Sequence, residues 1–191
     1  MKITNLRIQN FKSIHDMHIP DIENALILVG QNNTGKTTVL DAIRAVGGEY
    51  VIKPEDFGEA GAKIKIRVTL SFTEEDMELL RRDGVVSQYR KKEAWIQDFC
   101  RKLPAFSEGT LTFTMTVNKD GRIRYLDGIS KNNPYIREVF PRIYYVDTER
   151  RLEQLQSDLL LLQEDEILKR MRAGCCMFNQ AKDCSYCFHC I

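Results

Sequence analysis

Long apolar runs and a large net charge of either sign are missing from this chain of 191 residues. The 28 lysine and arginine residues nearly balance the 27 aspartate and glutamate residues, which leaves a net charge of +1. A chain so close to neutral has no overall attraction for nucleic acid or for a membrane surface, so such binding would depend on local patches. The longest leucine run, residues 159–162, is far shorter than the roughly 20 apolar residues that cross a bilayer. Residues 1–9 alternate between polar and apolar and do not form a signal peptide. These absences predict a cytoplasmic protein without a membrane partner.

Cysteine is almost absent from the first 174 residues, where Cys100 stands alone, and is then concentrated in the last seventeen. In a cytosolic chain such a cluster is more typical of a metal site than of a disulfide framework. The spacing can bring four thiolates around one Zn²⁺ ion, and it also fits an iron–sulfur cluster. The sequence therefore indicates a zinc site, with an iron–sulfur cluster or metal-free cysteines as alternatives. The candidate ligands are Cys176, Cys184, Cys187 and Cys190.

Alternating hydrophobicity is present along much of the chain and predicts β-strands, several of them antiparallel with one face in water. The Asp120-Gly121 pair is typical of a hairpin turn between two of these strands. The apolar run Ala25–Val29 ends at Gly30, as a buried strand would. We predict strands at residues 2–9, 15–19, 25–29, 63–72, 111–117, 122–126 and 143–146.

Four segments have the pattern of helices, at residues 36–46, 73–83, 88–102 and 149–172. The first ends at Gly47-Gly48, and the second opens with the capping pattern Thr73-x-x-Asp76. In the last, leucines recur three and four residues apart. The third helix is expected to turn four side chains towards the core, namely Tyr89, Ile96, Phe99 and Leu103.

Residues 30–37 read GQNNTGKT, which fits the phosphate-binding pattern G-x-x-x-x-G-K-[ST]. Glycines let the backbone curl so that successive amides point into one concavity, and the helix that follows directs its positive end to the same place. In such a loop Lys36 reaches the β- and γ-phosphates and Thr37 ligates Mg²⁺, while Thr38 supports the α-phosphate. The sequence therefore predicts an ATP·Mg²⁺ site whose nucleotide-binding residues include Gly30, Gln31, Asn32, Asn33, Thr34, Gly35, Lys36, Thr37 and Thr38.

Two elements in the first 46 residues resemble the SMC, RecF and OLD-type ATPases, a group of ABC-class enzymes. Residues 8–14 (IQNFKSI) are similar to the "NFKS/NFRS" element of that family, and the loop followed by residues 39–43 (VLDAI) is similar to its "GxNxxGKT…hLDAI" signature. The resemblance implies an α/β fold, the N-terminal lobe of a P-loop NTPase of the ABC or SMC-head type. Such a lobe has a mixed sheet and an antiparallel meander. It also implies that Lys12 and Ser13 lie beside the nucleotide, and that Asn32 shapes the loop near the γ-phosphate.

Heads of this family hydrolyse ATP when two of them clamp it, so the resemblance implies a homodimer and, for the intact protein, a DNA partner. The roles it implies are DNA repair, DNA maintenance or phage defence. Two parts of the catalytic apparatus do not occur in this sequence: a serine-glycine signature motif and an apolar strand ending in Asp-Glu. Asp147 ends an apolar run, but Thr148 follows it in place of glutamate, so a metal-binding role is not favoured. We therefore expect a partial protein that needs the missing half and a second head for ATPase activity.

Two other function classes remain open at this stage. A stand-alone P-loop kinase or small NTPase would need an acceptor pocket and would place Asp147 beside the Thr37 hydroxyl in a parallel sheet. A non-hydrolysing module would use nucleotide or zinc only to order an interaction surface. Basic residues in the two central helices are candidates for DNA contact, although the interleaved acidic residues favour a solvated surface; these are Arg81, Arg82, Arg90, Lys91, Lys92, Arg101 and Lys102.

The predicted organisation has three parts. Residues 1–148 form the P-loop lobe, residues 149–174 a long helix that begins a helical or coiled-coil arm, and residues 175–191 the cysteine-rich segment.

Overall fold

A computed structural model describes residues 1–31, 35–58 and 62–145. The long helix predicted over 149–174 and the cysteine-rich segment 175–191 lie outside these ranges. All of the elements below belong to the unit Met1–Ile143. The strands are β1 (Lys2–Phe11), β2 (Ile14–Ile19), β3 (Ile64–Ser71), β4 (Phe106–Ser107), β5 (Thr110–Val117) and β6 (Ile123–Leu126). The helices are α1 (Lys36–Gly47), α2 (Glu74–Arg82), α3 (Lys92–Lys102) and α4 (Tyr135–Val139), with a 3-10 turn at Pro54–Asp56.

The six strands form one sheet with the order β2-β1-β3-β5-β4, and β6 pairs with the other end of the same β5 edge. Every pair among these strands is antiparallel. Alternate residues of a strand face the same side of a sheet, and here the apolar residues on one side of the central strands β1, β3 and β5 are buried. Ile8, Ile66 and Met115 lie opposite one another on three neighbouring strands and form the centre of the core. The meander predicted from the alternating pattern is thus present.

Helix α1 lies against the core through one face. Val39, Ala42 and Val46 are buried, and their spacing of three and four residues places them in one stripe. Gly48 ends the helix in the left-handed conformation, and its amide donates to the carbonyl of Ala45. The Tyr125 hydroxyl donates to the main-chain carbonyl of Val46 at 2.9 Å, which joins β6 to the end of this helix.

Helix α2 begins as predicted, because Thr73 and Asp76 form a reciprocal capping box. The prediction for α3 was partly wrong. Its buried residues Trp95, Phe99 and Leu103 recur every four positions, whereas Ile96 is 38% exposed and Tyr89 is 56% exposed. The helix starts at Lys92, so Tyr89 precedes it, and Ile96 is one residue off the buried stripe.

Two predicted strands, 25–29 and 143–146, are not formed in the residues that the structure describes, which end at 145. Residues 25–29 and 143–145 are not in strands, and none of the strands in the described part of the chain pairs with them. An apolar run predicts burial, but a strand also requires a neighbour to accept its hydrogen bonds. Leu26 and Leu28 pack against the core, while Ile27 and Val29 are 81% and 90% exposed. Among the described helices, none has the length and apolar character that would let it span a membrane.

Candidate functional site

The glycine at the start of α1 adopts a backbone conformation that few other residues tolerate. Gly35 precedes the helix with φ of +91°, in the left-handed region. A methyl group on its Cα would lie 3.5 Å from the Ser13 hydroxyl and 3.8 Å from the Ile14 side chain. The β1–β2 turn therefore lies directly beside the end of the phosphate-binding loop. Since glycine has no side chain to cap the helix, the first amides of α1 keep their donor capacity for a ligand.

The side chains of the three residues after Gly35 differ in position and exposure in the way expected of a phosphate site. Lys36 folds back over the loop, where its ammonium donates to the carbonyl of Gly30 at 2.7 Å and to that of Gln31 at 2.5 Å. Thr37 is exposed on the first turn of α1, and Thr38 is buried. The lysine ammonium thus already lies at the mouth of the loop, held by carbonyl groups that a bound phosphate could replace as partners.

The remaining loop residues predicted to bind nucleotide, Asn32, Asn33 and Thr34, lie outside the described residues. Gly30 and Gln31 are exposed at the entry to the loop. The structure therefore describes both ends of the predicted phosphate-binding loop, at residues 30–31 and 35–37.

Ser13 and Lys12, which the resemblance assigned to the nucleotide, have different surroundings. Ser13 lies beside Gly35, as that assignment requires. The Lys12 ammonium, in contrast, donates to Asp41 at 2.7 Å and lies 3.9 Å from Asp56. It also lies over the Tyr50 ring, 4.6 Å from the ring centroid. In this arrangement Lys12 contacts protein carboxylates on both sides.

The charge of Lys12 is favoured by this environment. Burial on its own lowers the pKa of the ammonium. Hydrogen bonding to Asp41 and Tyr50 and the attraction of the nearby negative charge outweigh that effect, so the pKa lies above its ordinary value. Lys12 is therefore a permanent cation at neutral pH.

Two acidic residues of this site escaped the sequence prediction. Asp41 and Asp56 are among the few buried charged residues in the described part of the chain, at 6% and 3% exposed. The signal for Asp41 was its place between Val39 and Ala42 on the buried side of α1, where an acid requires a partner. Asp56 had no such signal, because it is brought to the site by the fold of a loop.

The chemistry of these groups fits a nucleotide with Mg²⁺. Main-chain amides at a helix start, an ammonium at the loop mouth and an exposed hydroxyl at Thr37 would hold phosphate oxygens and one hard cation. A bound metal would supply charge neutralisation between the phosphates. No side chain of the described loop ends would bring a negative charge against the phosphates.

Within the described ranges, no three histidine, cysteine or acidic side chains form a group that could hold a metal ion. Asp147 and the candidate zinc ligands Cys176, Cys184, Cys187 and Cys190 lie outside those ranges. The zinc site stays a prediction.

Solved structures similar to this chain are SMC ATPase heads. One is described as "Structural biochemistry of ATP-driven dimerization and DNA stimulated activation of SMC ATPases". It is 17% identical to this chain with a TM-score of 0.50, and the match covers 94% of this chain and 98% of that one. A second is the SmcHead bound to the C-winged helix domain of ScpA, at 19% identity and a TM-score of 0.49, covering 73% of this chain and 40% of that one. A third is an Smc head domain with an extended coiled coil from Pyrococcus furiosus, at 18% identity and a TM-score of 0.46, covering 72% and 31%. At such identities the first similarity shows the fold, which is that of an SMC-head P-loop lobe.

No curated protein matches the chain. The family described as "AAA ATPase domain" matches residues 1–176. That range contains the loop, the β1–β2 turn and the whole sheet, and it exceeds half of the chain. The chain belongs to the AAA ATPase domain family.

Proposed function

We propose that residues 30–37 bind ATP with Mg²⁺, with Lys36 on the phosphates, Thr37 as the metal ligand and Thr38 as support. The observation that carries this proposal is the left-handed Gly35 at the start of α1, together with the Lys36 ammonium folded over the loop. A helix start without a side-chain cap attracts an anion through its free amides and its dipole. Membership of the AAA ATPase domain family supports the same assignment.

We further propose that ATP hydrolysis needs a second segment, which carries the Asp-Glu strand and the signature motif. Ile27 and Val29 support this proposal, because they expose apolar side chains directly before the loop. Their neighbours Leu26 and Leu28 pack against the core, so this segment is apolar on both faces, as a strand inside a larger sheet would be. A covering strand would bury these side chains and fix the entry to the phosphate-binding loop.

The head is proposed to act as a homodimer with ATP between two copies, in an intact protein that works on DNA in repair, maintenance or phage defence. The similar SMC ATPase structure concerns ATP-driven dimerization and DNA stimulated activation, and this supports the proposal by analogy. The basic residues of α2 and α3 give little independent support. Arg81 pairs with Glu78, and Arg101 pairs with Asp98, so local acids already balance their charges.

The test is a titration of the 191-residue chain with a fluorescent ATP analogue and Mg²⁺, comparing the wild type with Lys36→Ala. Lys65→Ala is the matched control, because Lys65 is an exposed lysine on β3. Loss of one charge-assisted contact should weaken binding by about tenfold to hundredfold for Lys36→Ala and leave Lys65→Ala unchanged. Equal affinities of all three proteins would overturn the proposal.

A turnover assay with the same proteins separates a head lobe from an independent enzyme. The chain alone should hydrolyse ATP no faster than Lys36→Ala, and addition of a segment with the missing motifs should raise the rate. Rapid phosphoryl transfer by the chain alone would favour a small kinase or NTPase instead.

A further inference from the structure

The strongest unexplained feature is a cluster of charged groups behind the phosphate-binding loop. Asp41, on the second turn of α1, accepts from Lys12 at 2.7 Å and from Arg44 at 3.3 Å. Its carboxylate is 9% exposed, whereas the Lys12 side chain is 27% exposed. Because the Asp41 carboxylate is buried, its ionised form depends on cationic partners, and Lys12 is the closer of these two.

The opposite side of Lys12 is anchored by the segment after α1. The main-chain amide of Lys12 donates to the carbonyl of Asp56 at 2.7 Å. The Asp56 carboxylate in turn accepts from the Tyr50 hydroxyl at 3.1 Å and from the Lys53 amide at 2.8 Å. Asp56 is therefore held rigidly by its own loop, and it presents both a carbonyl and a negative charge to Lys12.

The backbone of Lys12 needs this support. Its φ is +51°, in the left-handed region that costs a residue with a side chain about 1 kcal/mol or more. The same turn carries Ser13, whose hydroxyl lies against Gly35. The position of Ser13 relative to the loop therefore depends on how Lys12 is held, and Lys12 is held by α1 itself through Asp41.

We propose that Asp41 is a positioning residue for the nucleotide site: through its ion pair with Lys12, it holds the Lys12–Ser13 turn against Gly35 and so maintains the loop end in the form that receives phosphate. This inference rests on the proposed nucleotide-binding function of residues 30–37. Asp56 supports the pair from the other side. Lys12 acts through the turn, and the carboxylates, not the phosphates, are the partners of its ammonium in the ligand-free protein.

Two arrangements of Lys12 make opposite predictions for Asp41→Asn. If Lys12 acts by holding the turn, loss of the Asp41 charge weakens nucleotide binding in the same way as loss of Lys12. If Lys12 instead contacts phosphate directly, loss of the Asp41 charge frees the ammonium, and affinity is unchanged or improves.

The experiment is a titration of the full chain with a fluorescent ATP analogue and Mg²⁺, using Asp41→Asn, Lys12→Met and the double variant. Each single variant should weaken binding by about tenfold, and the double variant should be no weaker than either, because all three break one pair. Lys12→Arg should restore binding to within about threefold, since it keeps the charge. Asp16→Asn is the matched control, because Asp16 forms an ion pair with Arg7 on the same hairpin but among exposed side chains; its affinity should equal that of the wild type.

Hydrogen exchange in the absence of nucleotide provides a second readout. Asp41→Asn and Lys12→Met should both speed amide exchange at Ser13 and Gly35, and Asp16→Asn should not. If Asp41→Asn does not fold, Lys12→Met alone carries both measurements, with Lys12→Arg as its rescue.

Unchanged or tighter binding by Asp41→Asn, or exchange at Ser13 and Gly35 that none of the variants alters, would overturn the inference. The failure of the proposed function looks different: the wild type and Lys36→Ala would then bind the analogue equally. The exchange measurement still reports on the turn in that case.

Discussion

Substitution of the two glycines at the ends of α1 can separate the stability lost through backbone strain from an effect on nucleotide binding. Gly35 has φ of +91° and Gly48 has φ of +82°, so alanine at either site must adopt a left-handed conformation. That conformation costs about 1–2 kcal/mol, and part of this is offset because alanine also restricts the unfolded chain by about 0.4–1 kcal/mol. The net expectation is a loss of about 1 kcal/mol at each site.

The contacts that an added methyl group would make change this expected loss of stability little. At Gly35 an added methyl group meets Ser13 and Ile14 at ordinary contact distances of 3.5 and 3.8 Å. At Gly48 it meets the end of the Arg137 side chain, which is flexible and can move. Thermal unfolding should therefore show a decrease of about 3 °C in the melting temperature for both variants.

Nucleotide affinity should distinguish the two variants sharply. Alanine at Gly35 changes the direction of the loop amides and should weaken binding of ATP with Mg²⁺ by at least about tenfold. Alanine at Gly48 lies at the far end of the helix and should leave affinity unchanged. The reasoning fails if both variants bind like the wild type, or if Gly48→Ala loses as much affinity as Gly35→Ala.

Two further predictions concern stability. Phe99 is fully buried between Trp95 and Phe106, so Phe99→Ala should lower the free energy of unfolding by about 3–5 kcal/mol. Tyr89 is exposed, so Tyr89→Ala should lower it by less than about 0.5 kcal/mol. Urea titrations followed by the fluorescence of the single tryptophan measure both losses, and equal losses would refute the buried face assigned to α3. The Lys102 ammonium, 2.9 Å from the Asp98 carboxylate, is the main cause that lowers the pKa of Asp98 to about 2 from its ordinary 3.8. A lowered pKa contributes stability that is present above pH 4 and is lost as the pH falls towards 2. The difference in unfolding free energy between the wild type and Asp98→Asn, measured by denaturant unfolding, should therefore shrink between pH 4 and pH 2. The same difference should not change between pH 6 and 8.

The sequence predicted those elements whose signal is local. Strands β3 and β5 follow from strict alternation, because each apolar residue on one face is separated from the next by one polar position, and β1 alternates in the same way over residues 6–8. The capping box of α2 and the glycine end of α1 are equally local, since their partners lie within four residues. The phosphate-binding pattern at residues 30–37 is also local, because its glycine, lysine and threonine are contiguous in the chain, and its role in binding nucleotide stays a prediction.

Predictions that depended on a distant neighbour were less successful. Residues 25–29 have the composition of a buried strand, yet no described strand pairs with them, and composition says nothing about which partner is present. The inward face of α3 was misplaced by one residue at Ile96, because Trp95 and Ile96 are adjacent apolar residues and only packing against the core decides that Trp95 is the buried one.

The sequence by itself predicted a loop with the pattern of a phosphate site and determined the alternation that builds the antiparallel sheet. Only the tertiary structure decided what surrounds Lys12. Its partners Asp41 and Asp56 are 29 and 44 residues away, and nothing in the local pattern links them to it. They meet because the sheet and α1 bury the same core, which brings a turn, a helix and a loop within hydrogen-bonding distance.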